Sequence, residues 1–211
     1  RQEWGIYMIK NIVFDMGKVL VDYVADAVCR HYMTDEKEIR EVCTSVFVSP
    51  EWVFLDMGVM EEEEALQRMK ARLETPHAKE MAELCFRHWH EYNMWAMEGM
   101  EELIKNLHSR GYGIYLCSNA SVRLLTCYKQ LIPGIEYFDG VLFSAEEGCM
   151  KPQKEIYERL FARFGLKAEE CYFIDDQPLN IRGAESCGMK GWVYDGDRKR
   201  LLEKLEEVLE G

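Results

Sequence analysis

The sequence predicts an α/β fold, a Rossmann-like parallel sheet flanked by helices, with an all-helical segment inserted after the first strand. In the C-terminal half of the 211-residue chain, short apolar runs alternate with helical stretches of about ten residues, a pattern typical of βαβ units. Residues 24–95 differ, since they are rich in Glu, Met, Ala, Arg and Leu. We therefore expect one α/β core, residues 1–22 and 96–211, interrupted by a helical cap at residues 23–95.

The predicted strands are short apolar runs, and most of them end at a polar residue. The first, Ile12–Phe14, stops at Asp15 and is followed by Gly17 and a second apolar run, Val19–Val21. The remaining predicted strands are residues 113–117, 141–143, 171–174 and 191–194.

The predicted helices have an apolar face and start or stop signals at their ends. The face of the helix before Gly111 follows the spacing i, i+3, i+4, i+7, with Met100, Leu103, Ile104 and Leu107. In the insertion, Ser49 and Pro50 form a helix start, because Ser caps helices and Pro suits the first helical position. The other predicted helices are residues 61–73, 77–92, about 121–130, a stretch carrying Ile156, Leu160 and Phe164, about 178–187, and 198–210.

Charge and cysteine content limit the classes of partner and the compartment. The chain has 26 Lys and Arg against 38 Asp and Glu, a net charge of −12, which argues against binding to nucleic acid or to an anionic membrane. None of the eight cysteines forms a C-x-x-C motif, and we interpret them as small core residues. No run approaches the roughly 18 apolar residues of a membrane span, and residues 1–11 lack a signal-peptide core. We expect a reduced, cytoplasmic protein of undetermined oligomeric state.

Polar residues follow three of the predicted strands: Asp15, the pair Ser118-Asn119, and the pair Asp175-Asp176. Because ligands of parallel sheets bind at the carboxyl ends of the strands, we expect these residues to share one edge of the sheet. A hard cation such as Mg²⁺ is bound by carboxylates and backbone carbonyls. Asp15, one of the Asp175-Asp176 pair and the carbonyl of Gly17 would form such a site.

The same residues suit phosphoryl chemistry. A carboxylate at Asp15 can act as a nucleophile, and Mg²⁺ would offset the repulsion between this carboxylate and an anionic phosphate. Lys151 could keep Asp15 ionised and screen the charge that develops during the reaction. Ser118 and the backbone N–H groups at the start of the next predicted helix suit a phosphate oxygen. Taken singly, each residue is more typical of a turn, a helix cap or a solvated loop than of a catalytic site.

In their order and placement, four motifs resemble those of the haloacid dehalogenase superfamily. They read FDMGKVL at residues 14–20, LCSNA at 116–120, KP at 151–152 and FIDD at 173–176. The resemblance covers nearly the whole chain and implies an α/β core with a helical cap between the first two motifs. Within the superfamily, the chain looks like the branch of small sugar-phosphate phosphatases, including α-glucose-1-phosphate phosphatases. It is also similar to the phosphatase-type domain of soluble epoxide hydrolases.

The resemblance implies a role for each motif residue. Asp15 would attack phosphorus and become an aspartyl-phosphate, while Ser118-Asn119 would bind the phosphoryl group that is transferred. Lys151 would bridge the nucleophile and the phosphate. Four residues would hold Mg²⁺: Asp15, Gly17 through its carbonyl, Asp176 directly and Asp175 through water or as an orienting group. Gln177 and Asn180 could support these carboxylates with hydrogen bonds.

Gly17 departs from the family pattern, which usually has an Asp two residues after the nucleophile. That Asp is the general acid–base, which protonates the leaving oxygen and then activates water. General acid–base catalysis contributes typically about 10²–10⁴-fold, so we expect slow turnover or a preference for good leaving groups. Lys18 or a cap residue could replace the missing acid. Three cap residues are expected to face the site: Trp52, Phe54 and Asp56.

The predicted function is Mg²⁺-dependent hydrolysis of a small phosphomonoester, with a sugar phosphate as the expected substrate. Two alternatives stay open. Without an acid at position 17, the chain could be a catalytically weak scaffold that binds a phosphorylated metabolite or a protein partner. A haloacid dehalogenase also lacks that acid, but it needs no metal, whereas the Asp175-Asp176 pair favours a metal-dependent phosphatase.

Overall fold

The computed structural model describes residues 8–210. Its central sheet contains five strands: β1 Asn11–Phe14, β4 Gly113–Ser118, β5 Gly140–Phe143, β6 Cys171–Asp175 and β7 Lys190–Val193. All neighbouring strands are parallel, in the order β5-β4-β1-β6-β7. Two further strands, β2 Val21–Tyr23 and β3 Met94–Ala96, form a separate antiparallel ribbon. The predicted Rossmann-like parallel sheet is confirmed.

Helices flank the sheet and occupy the interval between β2 and β3. The five helices of that interval form the helical segment: α1 Ala27–Tyr32, α2 Glu36–Phe47, α3 Pro50–Met57, α4 Glu62–Ala71 and α5 Pro76–Tyr92. The others are α6 Met100–Ser109, α7 Tyr128–Leu131, α8 Ser144–Glu147, α9 Lys154–Phe164, α10 Pro178–Ser186 and α11 Arg198–Glu210. The predicted position of the helix start is confirmed, since Ser49 is extended and Pro50 is the first residue of α3. The Ser49 hydroxyl does not cap the helix, because it donates to the carbonyl of Val46 at 2.8 Å.

Successive side chains of each strand pack on opposite faces of the sheet. In β1, Ile12 and Phe14 belong to one apolar cluster and Val13 belongs to the other, and all three are fully buried. In β6, Ile174 lies in the first cluster and Phe173 lies in the second. Burial on both faces explains why these strands read as continuous apolar runs in the sequence.

The register of the strands brings their polar ends together. Phe14 pairs with Leu116 of β4 on one side and with Ile174 of β6 on the other. The backbone N–H of Asp15 donates to the carbonyl of Ile174 at 2.9 Å, which extends the pairing with β6 by one residue. Asp15 therefore lies beside the carboxyl ends of both neighbouring strands, as predicted.

The prediction of one helix over residues 121–130 is wrong. A 3₁₀ turn at Val122–Thr126 and the single turn of α7 take its place. The hydroxyl of Thr126 and Sγ of Cys127 both bond to the carbonyl of Arg123. Side chains that bond to nearby carbonyls compete with the α-helical hydrogen-bond ladder, which accounts for the break.

Smaller differences affect two strands and the ends of the chain. β7 spans Lys190–Val193, one residue earlier than predicted. The prediction lacks β3, because a strand of three residues is too short to show an alternating pattern. Residues 1–7 and 211 of the predicted core lie outside the described residues. The division of the chain into core and cap stays a prediction.

Two sets of contacts join the helical segment to the strand ends. Arg123 donates to both carboxylate oxygens of Glu62, at 2.9 and 2.6 Å, and to the carbonyl of Arg87 at 2.9 Å. At the end of α3, Gly58 has a left-handed φ of 73° and lies against the carbonyl of Ala145, where a Cβ would overlap it. These contacts join α3, α4 and α5 to the segments that follow β4 and β5.

All eight cysteines are free thiols. Cys117 and Cys171 lie in β4 and β6 and are fully buried, which fits their interpretation as core residues. Over residues 8–210, no helix combines the length and the apolar character that crossing a bilayer requires.

Candidate active site

Asp15 stands at the start of a tight turn that follows β1. The carbonyl of Met16 accepts hydrogen bonds from three backbone N–H groups, those of Val19, Leu20 and Val21, at 3.3, 2.9 and 3.0 Å. Lys18 completes the turn with a left-handed φ of 62°, a conformation that is unfavourable for a residue with a side chain. The turn is held by its own backbone and fixes Asp15 beside the strand ends.

Lys151 is the cation at the centre of the site. Its side chain is 1% exposed, and Nζ lies 2.8 Å from Oδ1 of Asp15 and 2.7 Å from Oδ2 of Asp175. Nζ also donates to the carbonyl of Cys117 at 2.9 Å. An ammonium group has three donors, and here all three are used by acceptors at the ends of β1, β4 and β6. This buried network holds the three strand ends together.

Burial and neighbouring charges shift the pKa values of this network. Burial lowers the pKa of Lys151, but the carboxylates of Asp15 and Asp175 outweigh that effect, so the pKa is raised overall and the ammonium stays charged. Burial raises the pKa of the Asp15 carboxyl, while Lys151 opposes the increase and Asp175 adds to it. Two buried carboxylates thus share one lysine, and the excess negative charge suits a further cation.

Asp175, the last residue of β6, is fully buried and has donors on both oxygens. Oδ2 accepts from Lys151, and Oδ1 accepts from the backbone N–H of Gln177 at 2.7 Å. Nδ2 of Asn180 lies 3.1 and 3.0 Å from the two oxygens. Asp176 is more exposed, and its Oδ2 accepts from Nε2 of Gln177 at 2.7 Å. Gln177 and Asn180 therefore support the carboxylates, as the sequence suggested.

Asp15, Asp175 and Asp176 could together hold a metal ion. Each offers a carboxylate oxygen, and the three oxygens lie within 4.8 Å of one another. Oxygen ligands of this kind suit Mg²⁺. The carbonyl of Gly17 accepts no hydrogen bond from the backbone of residues 8–210, so it is available as a further ligand. Because Asp175 is already saturated with donors, the other three groups fit direct ligation better.

Ser118 and Asn119 have different surroundings. Ser118 ends β4, is buried and lines the same cavity as Asp15. Asn119 uses its side chain on Lys151, since Nδ2 donates to the Lys151 carbonyl at 2.9 Å and Oδ1 accepts from the Lys151 N–H at 2.8 Å. Asn119 therefore positions Lys151, and its predicted contact with phosphate would fall to its backbone N–H. The α-helix N-terminus expected after Ser118 is absent, because a 3₁₀ turn follows.

The strand ends open into a cavity of about 250 Å³ between the sheet and the helical segment. On the sheet side, its lining includes Asp15, Gly17, Ser118, Asn119 and Lys151. From the ribbon and the helical segment, its lining includes Tyr23, Trp52, Asp56, Trp89 and Met94. The expectation for Phe54 is wrong, because this side chain is exposed and lies outside the cavity. Trp52 and Asp56 are four residues apart on one face of α3, whereas Phe54 lies on another.

Tyr23 and Trp89 line the cavity and Ser144 bonds to two residues of its wall, although the sequence analysis predicts none of the three. Ser144 directly follows β5, so the rule about strand ends would have found it if applied to a fourth strand. Its hydroxyl accepts from the backbone N–H of Ala120 at 2.9 Å and donates to the carbonyl of Asp56. Tyr23 and Trp89 carry no such signal, because aromatic residues of this kind are common in apolar cores.

Known proteins with a similar sequence are hydrolases. A family model described as haloacid dehalogenase-like hydrolase matches residues 9–188. A sesquiterpene phosphatase of Aspergillus oryzae is 24% identical over 187 residues, which cover 86% of this chain and 88% of that protein. A phosphoserine phosphatase of Thermus thermophilus is 31% identical over 137 residues, 64% of this chain and 54% of that protein. The chain thus spans about half the length of this second relative.

A solved structure with low sequence identity has the same fold. A HAD family enzyme from Bacteroides thetaiotaomicron, crystallised as an Asp-to-Ala mutant with magnesium and inorganic phosphate, has a TM-score of 0.71 with this chain. The match covers 92% of this chain and 98% of that one at 20% identity. With a family model that matches most of its length and a parallel sheet of the same architecture, this chain belongs to the haloacid dehalogenase-like hydrolases.

Proposed function

We propose that this chain hydrolyses a small phosphomonoester in a Mg²⁺-dependent reaction that passes through an aspartyl-phosphate on Asp15. The observation that carries the proposal is the buried network in which Lys151 contacts Asp15 and Asp175 beside a cavity that Ser118 also lines. The phosphatases among the relatives support this class of reaction.

Asp15 would act as the nucleophile. Its contacts with the N–H of Met16 at 2.7 Å and with Nζ of Lys151 at 2.8 Å both fall on Oδ1, which leaves Oδ2 for attack on phosphorus. A bond would form between Asp15 and phosphorus while the bond from phosphorus to the leaving oxygen breaks. Water would then attack phosphorus, which releases inorganic phosphate and restores the carboxylate. Lys151 would stabilise negative charge in both steps, because its ammonium is already held in place.

The proposed ligands of Mg²⁺ are Asp15, Asp176 and the carbonyl of Gly17. When bound, the ion would withdraw negative charge from the phosphoryl oxygens and reduce their repulsion of the nucleophile. The excess of three clustered carboxylates over one lysine supports this proposal. Asp175 would orient Lys151, and Ser118 would contact a phosphoryl oxygen together with the backbone N–H of Asn119.

The leaving group would occupy the part of the cavity lined by Trp52, Trp89 and Tyr23. A volume of about 250 Å³ favours a small group. The resemblance to sugar-phosphate phosphatases supports a sugar phosphate, whose ring has apolar faces that can pack on aromatic side chains. The aromatic lining also favours a second candidate, the phosphate ester of an apolar alcohol. A panel that contains both classes distinguishes them.

Residues 23–95 would form the cap over this cavity. The ribbon of β2 and β3 joins the helical segment to the sheet, so its two connections lie side by side, as in a hinge. Opening at the ribbon would admit substrate. Closure would exclude bulk water and strengthen the electrostatic contribution of Lys151.

Release of inorganic phosphate tests the proposal. The assay compares p-nitrophenyl phosphate, sugar phosphates and phosphate esters of apolar alcohols, each with Mg²⁺ and with EDTA. The wild-type protein, Asp15→Asn and the control variant Asp195→Asn are measured side by side. The Asp195→Asn substitution is a suitable control because it removes the same charge at an exposed position outside the cavity.

The expected result is turnover that requires Mg²⁺, disappears in Asp15→Asn and persists in Asp195→Asn. Binding of Mg²⁺ and phosphate without turnover of any substrate would instead favour the scaffold. Release of halide from a haloacid in the presence of EDTA would favour the dehalogenase. Equal turnover by the wild-type protein and Asp15→Asn would contradict the proposed nucleophile.

A further inference from the structure

The turn after β1 provides no acid for the leaving group. Gly17 lines the cavity, and a Cβ built on it would meet no heavy atom within 4 Å. The space that an acidic side chain would enter from this turn is therefore open. The charged groups at the strand ends are committed, since Asp15, Asp175 and Lys151 bind one another and Asp176, a proposed metal ligand, accepts a hydrogen bond from Gln177. A proton donor for the leaving oxygen has to come from elsewhere in the cavity wall.

Lys18, the replacement suggested by the sequence, does not meet this need. Its Nζ lies 2.6 Å from Oδ1 of Asp22, both side chains are substantially exposed, and neither lines the cavity. Tyr23 does line the cavity, but burial raises the pKa of its phenol, so the phenol is a weaker proton donor than usual. Asp56 is the remaining titratable side chain of the described cavity wall.

Asp56 is tied to the loops that carry the phosphate-binding residues. Its backbone carbonyl accepts a hydrogen bond from Oγ of Ser144, and that Oγ in turn accepts a hydrogen bond from the N–H of Ala120, two residues after Ser118. Asp56 and Ser121 both line the cavity. Asp56 therefore contributes to the cavity wall from α3, while its backbone is held by the segments that follow β4 and β5.

We infer that Asp56 is the general acid–base of the proposed phosphatase, in place of the acid that Gly17 lacks. This inference rests on the proposed function. In the first step, the bond from Asp15 to phosphorus forms, the bond from phosphorus to the leaving oxygen breaks, and the proton of Asp56 passes to that oxygen. In the second step, the Asp56 carboxylate takes a proton from water as the water oxygen attacks phosphorus. The bond to Asp15 then breaks, phosphate is released, and Asp56 is again protonated.

The surroundings of Asp56 suit both steps. Burial raises the pKa of this carboxyl to about 7, and the N–H of Ser121 opposes the increase. The titratable groups that share the cavity with it are Tyr23, which is neutral, and the ion pair of Asp15 with Lys151. An acid–base group works best when its pKa lies near the working pH, so a carboxyl in this environment can both donate and accept a proton at neutral pH.

The test compares two leaving groups in wild-type protein, Asp56→Asn and Asp56→Glu. p-Nitrophenolate leaves without protonation, whereas an alkoxide does not. For Asp56→Asn, we expect the rate on an alkyl phosphate to fall by about 10²–10⁴-fold without a burst. On p-nitrophenyl phosphate, the same variant should release one nitrophenolate per active site rapidly and then turn over slowly, because the second step lacks its base. Asp56→Glu should retain part of both activities.

Three outcomes would overturn the inference. If Asp56→Asn hydrolysed the alkyl phosphate as fast as the wild-type protein, Asp56 would not be the acid. An equal loss on both substrates without a burst, in a variant whose circular dichroism and thermal unfolding match the wild type, would show that Asp56 only positions substrate. Absence of Asp15-dependent turnover in the wild-type protein would remove the proposed function, and the inference with it.

Discussion

The ammonium of Lys151 lies 2.8 Å from Oδ1 of Asp15, and 1% of the lysine side chain is exposed. The same ammonium lies 2.7 Å from the carboxylate of Asp175, whose side chain is fully buried. One cation thus compensates two buried carboxylates that end neighbouring strands. The arrangement links the chemistry of the site to the stability of the sheet, because a change of charge here affects both.

Replacement of Lys151 by Met should destabilise the protein as well as inactivate it. Removing one partner of a buried ion pair leaves an uncompensated charge, which costs about 3–5 kcal/mol. We expect the free energy of unfolding in urea, measured in EDTA, to fall by that amount. Lys154→Met is the matched control, because Lys154 makes an exposed ion pair with Glu158 on α9. Equal stability of the Lys151 and Lys154 variants would contradict the assigned burial.

Asp56→Asn should stabilise the protein at alkaline pH. Burial raises the pKa of Asp56 from 3.8 to about 7, so between these pH values the folded protein holds a proton that the unfolded chain releases. The contribution of the Asp56 carboxyl to the free energy of unfolding therefore decreases as pH rises from about 4 to about 7. We expect Asn to increase the free energy of unfolding at pH 8 by roughly 1–4 kcal/mol, because each pKa unit corresponds to about 1.4 kcal/mol, with little effect near pH 4. A destabilising effect at pH 8 would contradict this assignment.

The rate on alkyl phosphates should fall as pH rises above about 7. The leaving oxygen needs a proton, and the protonated fraction of Asp56 decreases through its pKa. The measurement is kcat/KM against pH for an alkyl phosphate and for p-nitrophenyl phosphate, whose leaving group needs no proton. The alkaline decrease should be present for the first substrate and absent for the second. If kcat/KM decreased equally for both substrates, the decrease would come from a titrating group other than Asp56.

Gly17→Asp should restore activity to Asp56→Asn. The space around Gly17 is open and its φ is not left-handed, so Asp can enter the turn without strain. It would supply an acid from the position that family members usually employ. We expect the double variant to regain at least tenfold in rate on an alkyl phosphate, a small part of the typical general-acid contribution of about 10²–10⁴-fold. Gly17→Asn, which has the same shape but no proton to donate, should give no gain.

The sheet and the residues at its strand ends could be predicted from sequence because their signals are local. An apolar run that stops at Asp15 or at Asp175 indicates a buried strand and its end at the same time. Parallel packing then places both ends on one edge, and the structure confirms this placement. The same rule, extended to the strand before Ser144, locates a residue that bonds to the cavity-lining residues Ala120 and Asp56.

The side chains of the helical segment that line the cavity could not be predicted with the same success. Side chains of the helical segment reach the cavity through tertiary packing, so the periodicity of α3 shows which residues share a face and not what that face contacts. Trp52 and Asp56 share the cavity face, and Phe54 does not. The expected helix after Ser118 failed for a local reason, because Thr126 and Cys127 bond to a nearby carbonyl.

Chemical trapping of the intermediate tests the central claim most directly. Wild-type protein, Asp56→Asn and Asp15→Asn are mixed with p-nitrophenyl phosphate and Mg²⁺, quenched in acid during turnover, and treated with borohydride, which reduces an acyl phosphate. Mass spectrometry of the peptides then locates the modified residue. The account predicts reduction at Asp15 in the first two proteins, to a greater extent in Asp56→Asn, and none in Asp15→Asn. Turnover without modification of Asp15, or modification of another residue, would contradict it.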